Sequence, residues 1–216
     1  MSDFEKKCGT VNQEIDSVGP WKWVLEDNGL WNIISYEWPH LKQMWSKHVR
    51  KYDVCVQAGG ACGMYPRLLS YTFKKVYTFE PNPLSFYCLV NNCQSSNVIK
   101  TNMGLGETPG TVLLKTQGLS NPGEARINDS GDTQINITTI DGLNLYACDF
   151  IQLDVENYEI YALKGAKETI KKYRPVISVE NGNDEILEFL NTLAPYKHVD
   201  RFGIGSDRSD DIYKVV

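Results

Sequence analysis

The chain has 216 residues, 42% of them hydrophobic and 23% charged, which suits one ordinary domain able to bury most of its apolar surface. A formal net charge of −5 with no long basic run argues against binding driven by nucleic-acid phosphates, though it leaves room for a small nucleotide or a local basic groove. Six scattered cysteines without a CxxC pair or zinc-ligand spacing speak against a disulfide framework or structural zinc. With no bilayer-length apolar run and no signal-like start, a cytoplasmic protein is the expectation.

In chain order, the stretch from Trp21 to Lys51 is dense in aromatics (Trp21, Trp23, Trp31, Tyr36, Trp45) and is expected to form helices packed on the core. Residues 1–52 are therefore read as an N-terminal helical and aromatic segment, and 53–216 as the main domain. Asp53 to Gln57 reads as a buried strand ending in a glycine turn, and Tyr65 to Lys74 as a helix. Val76 to Phe79 is a second strand, Ser85 to Cys93 a helix and Val98 to Thr101 a third strand. Gly104 to Gly142 is rich in glycine, proline and polar residues. It reads as an insertion or hairpin over the sheet's carboxyl edge, with strands at Thr111 to Lys115 and Gln134 to Ile140. Phe150 to Leu153 is the next strand, followed by one helix through Ile160, Leu163 and Ile170. Val176 to Val179, a helix from Asp184 to Leu193, and strands at His198 to Ile204 and Asp211 to Val216 complete the chain. Strands alternating with helices imply an α/β fold, a mostly parallel sheet covered on both faces, here with an antiparallel edge.

The turn Val56-Gln57-Ala58-Gly59-Gly60-Ala61-Cys62-Gly63 joins a strand to a helix start, where glycine lets backbone approach a ligand and unpaired N–H groups are offered. Glu80 ends the second strand about twenty residues on, where an acid accepts hydrogen bonds from ribose hydroxyls. Neither GxxxxGK[ST] nor GxGxxG is present, so a phosphate-cradling loop is not indicated. S-adenosylmethionine (SAM), an adenosine with a charged methionine tail and no pyrophosphate, suits a short glycine turn with a ribose acid.

The runs VCVQAGGACGMYP, VYTFEPNP, DFIQLDVENYEIYALKGA and RPVISVEN together resemble the FkbM-type class I methyltransferases over about Asp53 to Asn181. That resemblance implies a seven-stranded Rossmann-like sheet with an antiparallel last strand and SAM lying across the carboxyl ends of its first strands. It further implies that Ala58, Gly59, Gly60 and Gly63 line the methionine end, that Glu80 binds the ribose, and that Pro81 and Asn82 stand near ribose and adenine. Asn102-Met103-Gly104 would form the loop at the adenine edge, and Asp154 would lie close to the transferred methyl. The product would be S-adenosylhomocysteine (SAH), and the acceptor a hydroxyl on a carbohydrate or other small molecule. Two positions depart from the family pattern: Gln57 stands where Asp is usual, near the cofactor's amino group, and Asn157 where Gly is usual.

Asp154 and Glu156 follow the fourth strand and Glu180 ends the fifth, so three carboxylates are expected to converge on the ligand-binding edge. Three readings stay open: a general base for the acceptor hydroxyl, with Glu180 orienting the substrate; a Mg²⁺ or Ca²⁺ site, chemically allowed but not expected; or plain helix capping. Glu159 reads as a solvated helix position rather than a fourth member. His40 and His48 could reach the acceptor side but read first as packing or surface residues, His198 has no assigned role, and Cys62 reads as a small buried thiol. Lys42, Lys47, Arg50 and Lys51 are the residues a nucleotide, RNA or protein acceptor would call on. A SAM-binding module without catalysis, argued from Gln57, is the non-enzymatic alternative.

Overall fold

The computed structural model describes residues 3–12, 19–27, 43, 45–116, 118–203 and 209–216. Trp31, Tyr36, His40, Lys42 and the turn between the last two strands lie outside the described residues. The chain opens with a short helix α1 (Asp3–Lys7) and an antiparallel pair, β1 (Cys8–Val11) and β2 (Trp21–Val24), in register Cys8↔Val24 to Val11↔Trp21. This corrects the expectation of helices from Trp21. In Trp21-Lys22-Trp23 both indoles are buried and the lysine between them is not, a period of two that aromatic density concealed. Residues 45–48 are helical, as expected.

The central sheet is built from β3 (Val54–Ala58), β4 (Lys75–Phe79), β5 (Val98–Thr101), β10 (Phe150–Leu153), β11 (Val176–Glu180), β12 (Tyr196–Gly203) and β13 (Ser209–Val215). Their order is β12-β13-β11-β10-β3-β4-β5, parallel throughout except for β13, which runs antiparallel to both neighbours. The order reverses between β3 and β10, the switch point where open α/β sheets bind ligands. Every residue of β3 and β10 is buried, as a central parallel strand requires. Alternate residues feed two cores. Cys55, Phe150 and Ile212 pack with Leu69, Leu89 and Trp45 on one face. Val56, Ile151 and Val179 pack with Leu163, Ile170 and Leu190 on the other.

Helices α2 (Met64–Ser70) and α3 (Pro83–Asn92) cover the first face, and α4 (Glu159–Lys164), α5 (Lys167–Tyr173) and α6 (Asp184–Asn191) the second. The single helix expected through Ile160 and Ile170 is broken at Gly165. A Cβ there would meet the Gly106 carbonyl oxygen at 2.0 Å, so the backbones touch where a side chain cannot fit.

The 104–142 region forms a sheet of its own, in the order β6-β9-β7-β8: β6 (Gly104–Leu105), β7 (Gly110–Lys115), β8 (Arg126–Ile127) and β9 (Thr133–Thr138). The two strands expected there pair antiparallel, Gly110↔Ile137 to Leu114↔Thr133. The two-residue strands β6 and β8 are too short to leave a period. Leu114, Ile135 and Ile137 give this sheet a small separate core.

Candidate active site

Three loops at the carboxyl edge of the sheet build the site. The first leaves β3 at Ala58. Gly59 takes φ +81°, and a Cβ on it would stand 1.7 Å from the Asp154 carbonyl oxygen, so only glycine lets the β3 and β10 loops close on each other. The Gly59 and Gly60 N–H groups donate to the Phe79 carbonyl at 3.1 and 3.0 Å, tying the turn to β4. Gly63 precedes α2, and both Gly60 and Gly63 sit against α3, with Leu89 beside each.

Glu80 anchors the second loop. Its Oε2 accepts the Ala61 N–H and its Oε1 the Asn82 N–H, each at 2.7 Å. Burial pushes its carboxyl up to about 7, while those two N–H groups pull the other way. Asn82 caps α3 through the Leu84 N–H at 3.0 Å, and Asn102 donates to the carbonyls of Glu80 and Pro81.

The third loop carries the acids. Asp154, Glu156 and Glu180 each place a carboxylate oxygen within 4.8 Å of the others, a spacing that a hard divalent cation could bridge. Burial, then the charges of Glu180 and Asp210, hold the Asp154 carboxyl well above the ordinary range, and it shares a hydrogen bond with Glu180. Glu156 is also raised by burial and by Glu180, against the opposing pull of Arg126. Arg126 donates to Glu156 Oε2 from Nε at 3.2 Å and from Nη2 at 3.0 Å. Glu156 and Asn157 take φ of +55° and +73°, a left-handed pair whose second position is the one where the family pattern has glycine.

These loops border a partly open cleft of about 510 Å³, open solvent included. Ala58, Gly59, Glu80, Pro81, Asp154 and Glu156 line its floor and sides, with Gly104 beside them; Leu114, Pro122, Ala125 and Ile127 of the small sheet roof it. Gln57, Gly60, Gly63, Asn82, Met103 and Glu180 are not part of this lining. Gln57 is fully buried within the sheet, its Oε1 accepting from the Thr78 hydroxyl at 2.5 Å and its Nε2 donating to the Ala58 carbonyl at 3.0 Å. Met103 packs against the second core.

Residues 72–201 match the Methyltransferase FkbM domain model. The chain belongs to the FkbM methyltransferase domain family. No curated relative matches it in sequence. Among solved structures it is similar to the FkbM methyltransferase of Methylobacillus flagellatus, at 20% identity and TM-score 0.60, over 78% of this chain and 45% of that one. This chain thus spans less than half the length of that protein. It is similar in fold to a Streptococcus thermophilus rRNA methylase, at 10% identity and TM-score 0.51 over 82% and 94% of the two chains. A precorrin 8W decarboxylase of Methanobacterium thermoautotrophicum gives 16% identity and TM-score 0.50 over 83% and 90%.

Lys47, His48, Arg50, Lys51 and His198 are not part of the lining of this FkbM domain's cleft. His48 bonds Asp200 at 2.9 Å, and Lys47 pairs with the same carboxylate on β12, three strands from β10. Arg50 donates to the Ser46 and Val49 carbonyls. His198 meets Asp211 at 2.7 Å. Glu159 corrects its reading as solvated: it is buried and accepts the Val155 N–H at 3.0 Å, bracing the acid loop. Cys62 is a buried free thiol, as are the other five cysteines. No helix among the described residues is long and apolar enough to cross a membrane.

Sequence reading missed three residues of the site. Asp210 faces Glu180 only through the β11–β13 register, Glu180↔Asp210. Arg126 comes from a two-residue strand with no pattern of its own. Tyr158 lines the cleft beside Gly106 and packs against Tyr161 in a tilted pair, with ring centroids 4.6 Å apart. Its place directly after the acid pair was a signal that could have been used.

Proposed function

We propose that this FkbM domain is a SAM-dependent O-methyltransferase acting on a hydroxyl of a carbohydrate or other small molecule. The observation that carries the reading is that Gly59, Glu80 and the Asp154–Glu156 pair, three segments far apart in sequence, line one cleft. The cleft combines apolar walls (Phe79, Leu105, Val155) with a few polar groups, as a flat adenine on a polar ribose needs. Each Glu80 oxygen accepts one backbone N–H and keeps a lone pair for a ribose hydroxyl.

SAM supplies a methyl group on a positively charged sulfur and leaves as SAH; the acceptor oxygen must lose its proton as the new C–O bond forms. Asp154, hydrogen-bonded to Glu180 and with its carboxyl raised above the usual carboxylate range by burial and neighbouring charges, would take that proton in its ionised form. Glu156 and Glu180 would orient the acceptor hydroxyl. The apolar roof excludes water from the reacting groups. Six free thiols fit a reducing, cytoplasmic setting.

Isothermal titration of the purified chain with SAM and SAH tests the cofactor, and a panel of sugars, glycans and nucleotides with a coupled assay for the homocysteine product tests the acceptor. Saturable binding of both ligands and turnover on a hydroxyl-bearing acceptor are expected. No heat and no thermal stabilisation with either ligand would sink the reading.

A further inference from the structure

The roof over the cleft is built differently from its floor. Floor residues hang from the central sheet and are held by its two large cores. The roof residues Leu114, Pro122, Ala125 and Ile127 belong to the small sheet and its connections, whose core of Leu114, Ile135 and Ile137, with Val112, Ala125 and Ile127 against it, is a cluster of its own, while Leu119 of the same stretch packs on the first core. A unit with its own apolar cluster can open apart from the rest of a fold, and the contacts that tie it to the floor then set how readily it does so.

Beside the Leu119 contact, two polar bridges among the described residues tie it to the loops of the floor. On one side Asn82 Nδ2 donates to the Pro122 carbonyl at 3.4 Å, a long bond. On the other Arg126 gives two N–H groups to one oxygen of Glu156, at 3.2 and 3.0 Å. The second is the stronger, being charge-assisted, and its carboxylate is well covered, with 16% of the side chain exposed against 49% for Arg126. Asn82 adjoins the proposed ribose acid and Glu156 belongs to the acid cluster. The bridges therefore span the cleft where a bound nucleoside would lie.

We propose that Arg126 is a positioning residue: its bond to Glu156 latches the roof over bound cofactor and at the same stroke brings the guanidinium that the acid cluster lacks while the roof is open. The inference rests on the cofactor reading above. With the roof raised, Glu156 faces Asp154 and Glu180 without that cation. With it lowered, Arg126 occupies Glu156 Oε2 from two of its N–H groups. Closing the cofactor in and completing the acceptor site are then one event, which imposes an order of cofactor first, acceptor second.

The test uses the full chain and SAH as probe, with dissociation followed by surface plasmon resonance and roof opening by hydrogen exchange at residues 125–127. Arg126→Ala and Glu156→Ala are each expected to speed SAH release roughly three- to tenfold. The double variant should release no faster than either single one, and Arg126→Lys should restore most of the lifetime. A half-exposed ion pair adds little to global stability, so the melting temperature should stay near that of the wild type while the release rate moves. Unchanged release in Arg126→Ala, or fully additive effects in the double variant, would overturn the latch. If the wild type binds no SAH, the cofactor reading fails. Exchange at residues 125–127 in the ligand-free Arg126→Ala protein still decides the latch: faster exchange supports it and unchanged exchange removes it.

Discussion

Glu80 Oε2 accepts the Ala61 N–H at 2.7 Å, so the acid that a nucleotide-binding unit uses for ribose also fixes the shape of the glycine turn. Ala61 sits at φ +42°, a conformation an alanine keeps only when held. If Glu80 binds ribose as proposed, one side chain serves the ligand and the loop that receives it, and its removal should register in both.

The first prediction follows from its protonation. The Glu80 carboxyl is raised from 4.5 to about 7 in the fold, so the folded state holds this proton more tightly than the unfolded chain does. Its contribution to stability is full below the unfolded value and is lost as pH rises through about 7. Ribose hydroxyls donate best to the ionised form, so SAH should bind more tightly above about 7 than below it. Thermal melts and titrations across that range in wild type and Glu80→Gln check both halves. The variant should flatten this part of the stability profile and bind SAH weakly at every pH. A pH-dependence identical to wild type would separate Glu80 from the effect.

A second prediction concerns Gly59. Any Cβ at φ +81° is strained, and this one would run into the Asp154 carbonyl, which is backbone and cannot swing away. Gly59→Ala should cost on the order of 3 kcal/mol in urea unfolding and abolish measurable SAH binding. Wild-type stability would mean that the β3 and β10 loops are not locked together as described.

The third prediction addresses Gln57, the departure from the family pattern. The sequence suggests a side chain aimed at the cofactor's amino group, yet both ends of its amide are bonded inside the sheet, to Thr78 and to the Ala58 carbonyl. Thr78→Val would strand a buried amide oxygen and should cost about 1–3 kcal/mol, while Thr78→Val with Gln57→Leu should recover part of that loss. Chemical denaturation reads the cycle. Additive losses would show that the two side chains do not depend on each other.

How far the sequence carried depended on the range of the signal. β3, β4 and β10 were legible because buried parallel strands are continuous apolar runs closed by glycine or acid, and the β3 turn, Glu80 and the Asp154–Glu156 pair follow them directly. β2 was hidden, since tryptophans at alternate positions and tryptophans on a helix look alike over four residues. The roof was hidden for another reason: Arg126 reaches Glu156 from a two-residue strand whose partner, β7, lies about ten residues away, and nothing local encodes that pairing. Asp210 needed the antiparallel register of β13, which is set by tertiary packing. What stayed illegible is thus what crosses between sheets.

A fourth prediction separates the base from the cation reading of the acid trio. Arg126 already gives this cluster a positive charge, and SAH contacts on the Glu80 side need no ion, so dialysis against EDTA should leave SAH affinity unchanged. Turnover on an acceptor should survive as well. Activity lost to EDTA and restored by Mg²⁺ or Mn²⁺ would turn Asp154, Glu156 and Glu180 into cation ligands.

The last prediction divides stability from turnover at Asp154. Its carboxyl is pushed well above the usual range by burial and by Glu180 and Asp210, so the ionised form is the costly one in the fold. The stability it contributes is present at low pH and drains away as pH rises through the raised value. Asn is neutral throughout and nearly the same shape. Asp154→Asn should therefore gain stability relative to wild type as pH increases, on the order of 1 kcal/mol at the alkaline end, while SAH affinity changes little and turnover falls about a hundredfold or more. Melting curves against pH, SAH titration and the homocysteine-coupled assay read the three quantities separately. Loss of SAH affinity as large as that in Glu80→Gln would place Asp154 in cofactor binding rather than proton transfer. Turnover close to wild type would move the base to Glu156 or Glu180, whose oxygens stand within 4.8 Å of it.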